Sequence, residues 1–256
     1  MIVIPMAGLS KRFTEVGFKT PKYMLEAHGE SLFFWSVLSF KKYFKKQSFL
    51  FICLKNSKAK LFIKKNCLKL GILNFKIVEL KNQTLGQAHT VYLGLKTLNI
   101  PNNESVLIFN IDTFRLGYKF PSFITNKKIV GYLECFVGSG KNWSNVITLS
   151  QNSKRVVKTS EKKNESNLCC TGIYFFSNIK IFYESYVSYY NKKKSMKLNE
   201  EHFIAPIYND LIAKGNFINV DVINRSSVIF CGIPSEYDEF KKHPLFSKTN
   251  SFISYD

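Results

Sequence analysis

Between residues 2 and 112 the chain alternates short apolar runs with longer segments of helical periodicity, and this order constrains the fold more than any other feature. "IVIPMA" reads as a first strand, "SLFFWSVLSFKKYF" (31–44) as a helix with Ser31 as N-cap, and "SFLFICL" (48–54) as a buried strand. "SKAKLFIKKNCLKLG" (57–71) reads as a helix closed by Gly71, "FKIVEL" (75–80) as a strand, "GQAHTVYLGLKTL" (86–98) as a helix and "SVLIFNID" (105–112) as a strand ending in an acid. Strand–helix alternation of this kind implies a parallel α/β sheet with helices on its faces. Pro5 is unusual for a central strand, since it cannot donate to the ladder.

After residue 120 the pattern changes. "KKIVGYLECF" (127–136), "RVVKTS" (155–160) and "LCCTGIYFF" (168–176) read as strands separated by polar stretches. Helical patterns follow at 178–194 and 200–215, then two last strands in "FINVDVI" and "SSVIFCGI" and a helix opened by Pro234. The expected organisation is one domain over 1–256, with an N-terminal half near 1–120 and a second half, 121–256, that closes over it. A hydrophobic fraction of 45% can offset chain entropy, and no apolar run reaches the length of a membrane span. The N-terminus has no cationic stretch ahead of an apolar one, so a secretory signal is not expected. The six cysteines make no C-x-x-C pair, which suits reduced thiols in a cytoplasmic protein.

The net charge of +19 admits three readings: nucleic acid or anionic lipid, compositional bias, or cations serving a polyphosphate. The lysines are scattered through helix-like stretches such as "KKYFKK" and "FIKKNCLKLG", which favours the last two over nucleic acid.

"AGLSKRF" (7–13) sits at the carboxyl end of the first strand, where open parallel sheets bind ligands. Gly8 lets backbone N–H groups approach an oxyanion, and Lys11 and Arg12 add fixed positive charge. The segment is neither G-x-G-x-x-G nor a Walker-type loop. Ten residues on, "FKTPKYML" holds a second cation, Lys22, on a turn fixed by Pro21, and the pair of motifs suits a polyphosphate.

The pattern P-M-A-G-x-x-x-R-F, then P-K, resembles the nucleotidylyltransferases that join an NTP to a phosphorylated metabolite: the sugar-nucleotide pyrophosphorylases and their cytidylyltransferase relatives. "TLGQAHTVYLGL" is similar to that family's base-recognition segment, "FNID" to its metal segment, "VKTSEKK" and "TGIYFF" to its E-K and T-G-x-Y-x-F segments, and "FCGIPSEYDEF" to its closing G-T-P segment. The matches run in the family's order over about residues 2–240. The resemblance implies a three-layer α/β/α Rossmann-like fold of the nucleotide-diphospho-sugar transferase type, with a mainly parallel, mixed central sheet.

It also implies roles. Arg12 and Lys22 would be catalytic, neutralising charge on the phosphates, with Ala7, Gly8, Leu9, Ser10 and Lys11 forming the phosphate loop. Gln83, Gly86 and Gln87 would lie near the base, and Asp112 would hold Mg²⁺. Glu161 and Lys162 would face the second substrate, Lys162 on its phosphate with Lys163 as an adjacent alternative, and Glu201 would hold a hydroxyl or amine, with Glu200 competing. Two departures stand out. Ser10 takes the place of the family's second loop glycine, either stiffening the loop or offering its hydroxyl. The late metal-binding aspartate is missing, because its place reads Phe230-Cys231-Gly232; either Asp221 serves, or one carboxylate suffices.

The expected activity is Mg²⁺-dependent nucleotidyl transfer to a sugar 1-phosphate, with a cytidylyltransferase acting on phosphocholine or phosphoglutamine as runner-up. The expected partners are an NTP (CTP, UTP or dTTP) and a phosphorylated small molecule, not nucleic acid. The sequence leaves the oligomeric state open. The four histidines (28, 89, 202 and 243) are too dispersed for a metal cluster.

Overall fold

In the computed structural model, which describes residues 1–55, 58–194 and 201–244, twenty strands and helices follow one another along the chain. The first half carries β1 (Ile2–Pro5), α1 (Lys11–Thr14), β2 (Glu26–Ala27), β3 (Glu30–Ser31), α2 (Leu32–Leu38), β4 (Phe49–Leu54), α3 (Ala59–Lys69), β5 (Phe75–Leu80), α4 (Gln87–Thr97), β6 (Val106–Phe109) and β7 (Thr113–Phe114). The second carries β8 (Ile129–Val137), β9 (Ser144–Thr148), β10 (Val156–Glu161), β11 (Leu168–Phe176), α5 (Ile179–Lys194), α6 (Tyr208–Ala213), β12 (Phe217–Ile223), β13 (Ile229–Phe230) and α7 (Pro234–Lys241). Residues 57 and 200, where two helices were expected to start, lie outside the described residues.

The central sheet is mixed. β5, β4, β1 and β6 run parallel; β11 joins β6 antiparallel and carries β9–β10 and β8 beyond it, with β12 parallel to β8. Alternation along β1 builds two cores. Ile2 and Ile4 pack with Phe33 and Val37 of α2 and Ile63 of α3, while Val3 packs with Val91 and Leu95 of α4 and Phe182 of α5. Helices therefore cover both faces, as the strand–helix order implies.

Pro5 is tolerated for a directional reason. Ile2 and Met6 donate their N–H groups to Ser48 and Ile52 on the β4 side, so residue 5 faces β6. Pairing with β6 covers only Ile2 and Val3, and the proline's missing donor has no acceptor to disappoint.

Two expectations need correction, and one strand was not expected at all. The strand expected over 105–112 ends at Phe109, and Asn110–Asp112 form the loop beyond it. The helix expected over 200–215 is only Ala205–Ile207 in 3₁₀ form followed by α6, because Pro206 cannot donate within a longer helix and sits in its first turn. β9 went unread, since "SNVIT" is short and flanked by polar residues.

Candidate active site

Parallel β1 and β6 end at the same edge of the sheet. The loops that follow them, residues 6–13 and 110–112, open into one cavity of about 750 Å³. Its wall also takes Lys22, residues 83–87, Trp143, Ser144, Glu161, Lys162, Thr171, Gly172 and residues from the closing segment. Of the residues singled out from sequence, Ala7, Gly8, Leu9, Ser10, Lys11, Arg12, Lys22, Gln83, Gly86, Gln87, Asp112, Lys162 and Glu201 all line this cavity.

Arg12 is exposed at the mouth, on the four-residue helix α1, with no carboxylate partner among the described residues. Lys22 opens a 3₁₀ turn whose N-cap is Pro21, and its Nζ lies 2.5 Å from Asp112 Oδ2. That pair is only one-fifth exposed on each side. The cation from the Pro-Lys turn and the acid beyond β6 thus meet directly. The left-handed residue of the loop after β1 is Ser10 (φ 53°), whereas Gly8 has open space where a β-carbon would stand.

Gly86 is the N-cap of α4 with φ +135°, and a β-carbon there would come within 2.7 Å of the His202 backbone nitrogen. Residues 201–203 cross this loop closely. His202 donates its N–H to the Leu85 carbonyl at 2.7 Å and accepts from the Ala88 N–H at 2.8 Å. Gln87 donates its side-chain amide to Asn110, and Asn110 in turn packs over Gly172 (φ +101°), where a β-carbon would collide with it at 2.7 Å.

At the far end, Lys162 holds a left-handed backbone (φ 56°) at the end of β10. Its ammonium sits 3.7 Å from Glu201 and 4.3 Å from the centre of the Phe203 ring. Lys163 is not part of the cavity wall. Glu161 accepts a hydrogen bond from Ser144, and burial holds its carboxyl above the ordinary range, opposed by that bond and by Lys162. Glu200 lies outside the described residues.

Asp221 is not in the cavity. It lies on β12 in register with Glu134 of β8, with Lys154 and Arg115 as the cations that act on it. Asp112 lines the cavity and Asp221 does not. The carboxylate that does approach Asp112 is Glu236, which the sequence reading missed. β13 pairs with β7, and the Cys231 N–H donates to the Asp112 carbonyl at 2.7 Å, so the closing segment runs beside Asp112. A β-carbon on Gly232 would lie 3.2 Å from Asp112 Oδ2 and 3.5 Å from Glu236 Oε2. Glu236 also accepts from the Gly232 and Ile233 N–H groups at 2.8 and 3.3 Å. Its only sequence signal is an acid two residues after Pro234 at a helix start, which reads equally as a cap.

Also missed was a buried pair beneath the floor. Arg115 Nε donates to both Glu134 oxygens at 3.1 and 3.2 Å, and Thr171 Oγ1 donates to Glu134 at 3.0 Å. All six cysteines are buried free thiols. No group of three or more metal-binding side chains of the His, Cys, Asp or Glu type occurs among the described residues, and none of their helices is long and apolar enough to cross a membrane.

No family model and no curated protein matches the chain. Solved structures do. A nucleoside-diphosphate-sugar pyrophosphorylase from Vibrio cholerae RC9 is 43% identical, with a TM-score of 0.89 over 95% of this chain and 100% of that one. The inositol-1-phosphate CTP transferase from T. maritima (17% identical, TM-score 0.67, 94% of each chain) and a UTP-bound UGPase from Acinetobacter baumannii (13% identical, TM-score 0.68, 96% and 95%) share the fold. With one cavity that unites the loop after β1 and the Pro21–Lys22 turn, and a 43% identical relative spanning nearly the whole chain, this protein belongs to the nucleoside-diphosphate-sugar pyrophosphorylase group of the nucleotidyltransferases and is an enzyme of that class.

Proposed function

We propose that the enzyme transfers a nucleotidyl group from an NTP to a sugar 1-phosphate, releasing pyrophosphate. The observation that carries this reading is the meeting of Lys22 with Asp112 in the cavity that Arg12 also lines. A phosphate oxygen of the acceptor attacks the α-phosphorus, the bond to the β-phosphate bridging oxygen breaks, and pyrophosphate leaves with the electron pair. The attacking oxygen is already anionic near neutral pH, so positioning and charge stabilisation suffice without a general base.

Residues 1–120 would hold the NTP and 121–256 the acceptor, as halves of one domain. Ala7–Arg12 would wrap the triphosphate, with Lys22 on the same phosphates. Gln83, Gly86 and Gln87 would meet the base. Lys162 would take the acceptor phosphate, with Glu161 and Glu201 on its hydroxyls. CTP, UTP and dTTP are the expected donors.

The donor set suits Mg²⁺, which prefers carboxylate, phosphate and water oxygens. Asp112 and Glu236 flank Gly232 at the cavity wall and would hold it. When bound, Mg²⁺ would screen the triphosphate and sharpen the electrophilic character of the α-phosphorus. Lys22 would then exchange Asp112 for phosphate oxygens. The setting that fits such an activity is cytoplasmic synthesis of precursors for capsule or other surface polysaccharides.

A second reading has its own observation. The acceptor end carries two carboxylates, Glu161 and Glu201, beside the rings of Trp143, Phe203 and Phe230. That lining also suits the amine of a small non-sugar phosphate, such as phosphocholine or phosphoglutamine, in a CTP-dependent reaction. One screen decides between them: pyrophosphate release from each of four NTPs, with and without Mg²⁺, against sugar 1-phosphates and against amino-alcohol or amide phosphates. Release with a sugar 1-phosphate alone supports the first reading, and release only with CTP and an amine or amide phosphate supports the second. Salt-sensitive DNA retention with no pyrophosphate release from any pair would overturn both.

A further inference from the structure

Ser10 holds a backbone conformation (φ 53°, ψ 35°) that side chains with a β-carbon adopt at a cost. Its carbonyl accepts the N–H groups of Phe13 and Thr14 at 2.8 and 3.1 Å and so starts α1, the helix that carries Arg12. Ser10 is the N-cap of that helix, yet its hydroxyl makes no cap bond. The hydroxyl oxygen instead accepts the backbone N–H of Lys22 at 3.2 Å, twelve residues away in sequence. Lys22 begins the turn behind Pro21, and its ammonium reaches Asp112. One side-chain oxygen thus joins the loop bearing one cation to the turn bearing the other.

We propose that Ser10 is a positioning residue: its hydroxyl locks the phosphate loop onto the Pro21–Lys22 turn and thereby sets the spacing between Arg12 and Lys22. The proposal rests on the reading that these two cations grip the triphosphate. Glycine would adopt the left-handed conformation freely, so a serine here incurs backbone strain that its hydrogen bond offsets. The two effects oppose each other in stability, while only the hydrogen bond bears on substrate binding, which makes them separable.

The test is a double-mutant cycle on Ser10→Gly and Lys22→Ala. Affinity for inorganic tripolyphosphate with Mg²⁺ is read by calorimetry, alongside melting temperature and the kcat and KM for the NTP that supports turnover. Ser10→Gly is expected to keep or raise the melting temperature while weakening tripolyphosphate binding about tenfold, the scale of one aligned hydrogen bond. Ser10→Ala should weaken binding equally and melt lower, because the strain stays without the bond. In the Lys22→Ala background, Ser10→Gly should cost nothing further. Wild-type binding by Ser10→Gly would overturn the proposal, and so would a loss undiminished in the Lys22→Ala background, since the hydroxyl would then touch phosphate itself. Wild-type binding by Lys22→Ala alone would instead overturn the phosphate-site reading, and the Ser10 proposal with it.

Discussion

Arg12 and Lys22 sit on different elements and are held differently. Arg12 is solvent-exposed with no acid beside it among the described residues, while Lys22 is half-buried against Asp112. Among the described residues Arg12 has no ion pair or side-chain hydrogen bond to lose, and Arg12→Ala should melt like the wild type. Lys22→Ala removes one ion pair but no core packing and should still fold. Each should lose roughly 100- to 1,000-fold in turnover, the scale of one lost charge-stabilising contact; circular dichroism and steady-state kinetics on the same preparations check both halves. Glu161 makes a pH prediction. Burial raises its folded-state pKa, so the native state binds its proton more tightly than the unfolded chain does. Its contribution to stability therefore falls as pH rises from the ordinary glutamate range through the raised value. Glu161→Gln removes that slope: the difference in melting temperature between variant and wild type should grow across this window and level off above it. At this scale the sequence is legible where a motif is local. Arg12 and Lys22 stand in short recognisable strings, and Asp112 ends one. Glu236 was hidden because a helix-capping acid and a cavity carboxylate look alike in one dimension. Asp221 misled because its place follows from the β8–β12 register, which pairs it with Glu134 far away in sequence and leaves it off the cavity wall.

Among elements, the crossing of residues 201–203 over the loop before α4 is what a linear reading cannot supply. The sequence suggests a helix across 200–215, yet residues 201–203 are not helical and exchange two backbone hydrogen bonds with Leu85 and Ala88. Gly86 is required there twice over, by its φ of +135° and by the His202 backbone 2.7 Å from where a β-carbon would stand. Gly86→Ala should cost about 2–3 kcal/mol through strain and steric displacement, and should raise the KM for the NTP by loosening the loop. Gly8→Ala is the contrast. A β-carbon there meets nothing within 4 Å, so stability should hold while nucleotide binding weakens if phosphate lies against that backbone. Chemical denaturation and nucleotide titration on both variants separate the two outcomes. A Gly86→Ala protein as stable as the wild type would mean the crossing segment yields easily and does not fix the loop. The strand–helix alternation of the first half was readable because period and composition agree; the second half was harder because β9 is short and set among polar residues, and the last expected strand shrinks to the two residues of β13, whose partner β7 is remote.

For the molecule as a whole, the cations outnumber the acids 37 to 18, yet the cavity is balanced: Lys11, Arg12, Lys22 and Lys162 stand with Asp112, Glu161, Glu201 and Glu236. The excess charge lies elsewhere, so function cannot be read from net charge alone. Beneath that cavity a buried pair links residues of different elements. Arg115 lies just past β7 and Asp112; Glu134 lies in β8, with a side chain only 1% exposed. Thr171, on the cavity wall, donates to the same carboxylate. Burial raises the Glu134 pKa, while Arg115 and Thr171 pull it back, so the ionised form depends on both partners staying in place. Glu134→Ala would leave a guanidinium largely out of water, opposed only by the more distant Asp221, and should cost about 3–5 kcal/mol. Replacing both members, Arg115→Met with Glu134→Leu, removes the stranded charge and should recover much of that loss. Urea unfolding reads it as a lower midpoint with an unchanged slope for Glu134→Ala and a partial return in the double variant. A Glu134→Ala midpoint within error of the wild type would mean that the sheet holds its register without the pair, with the floor of the site indifferent to the charge beneath it.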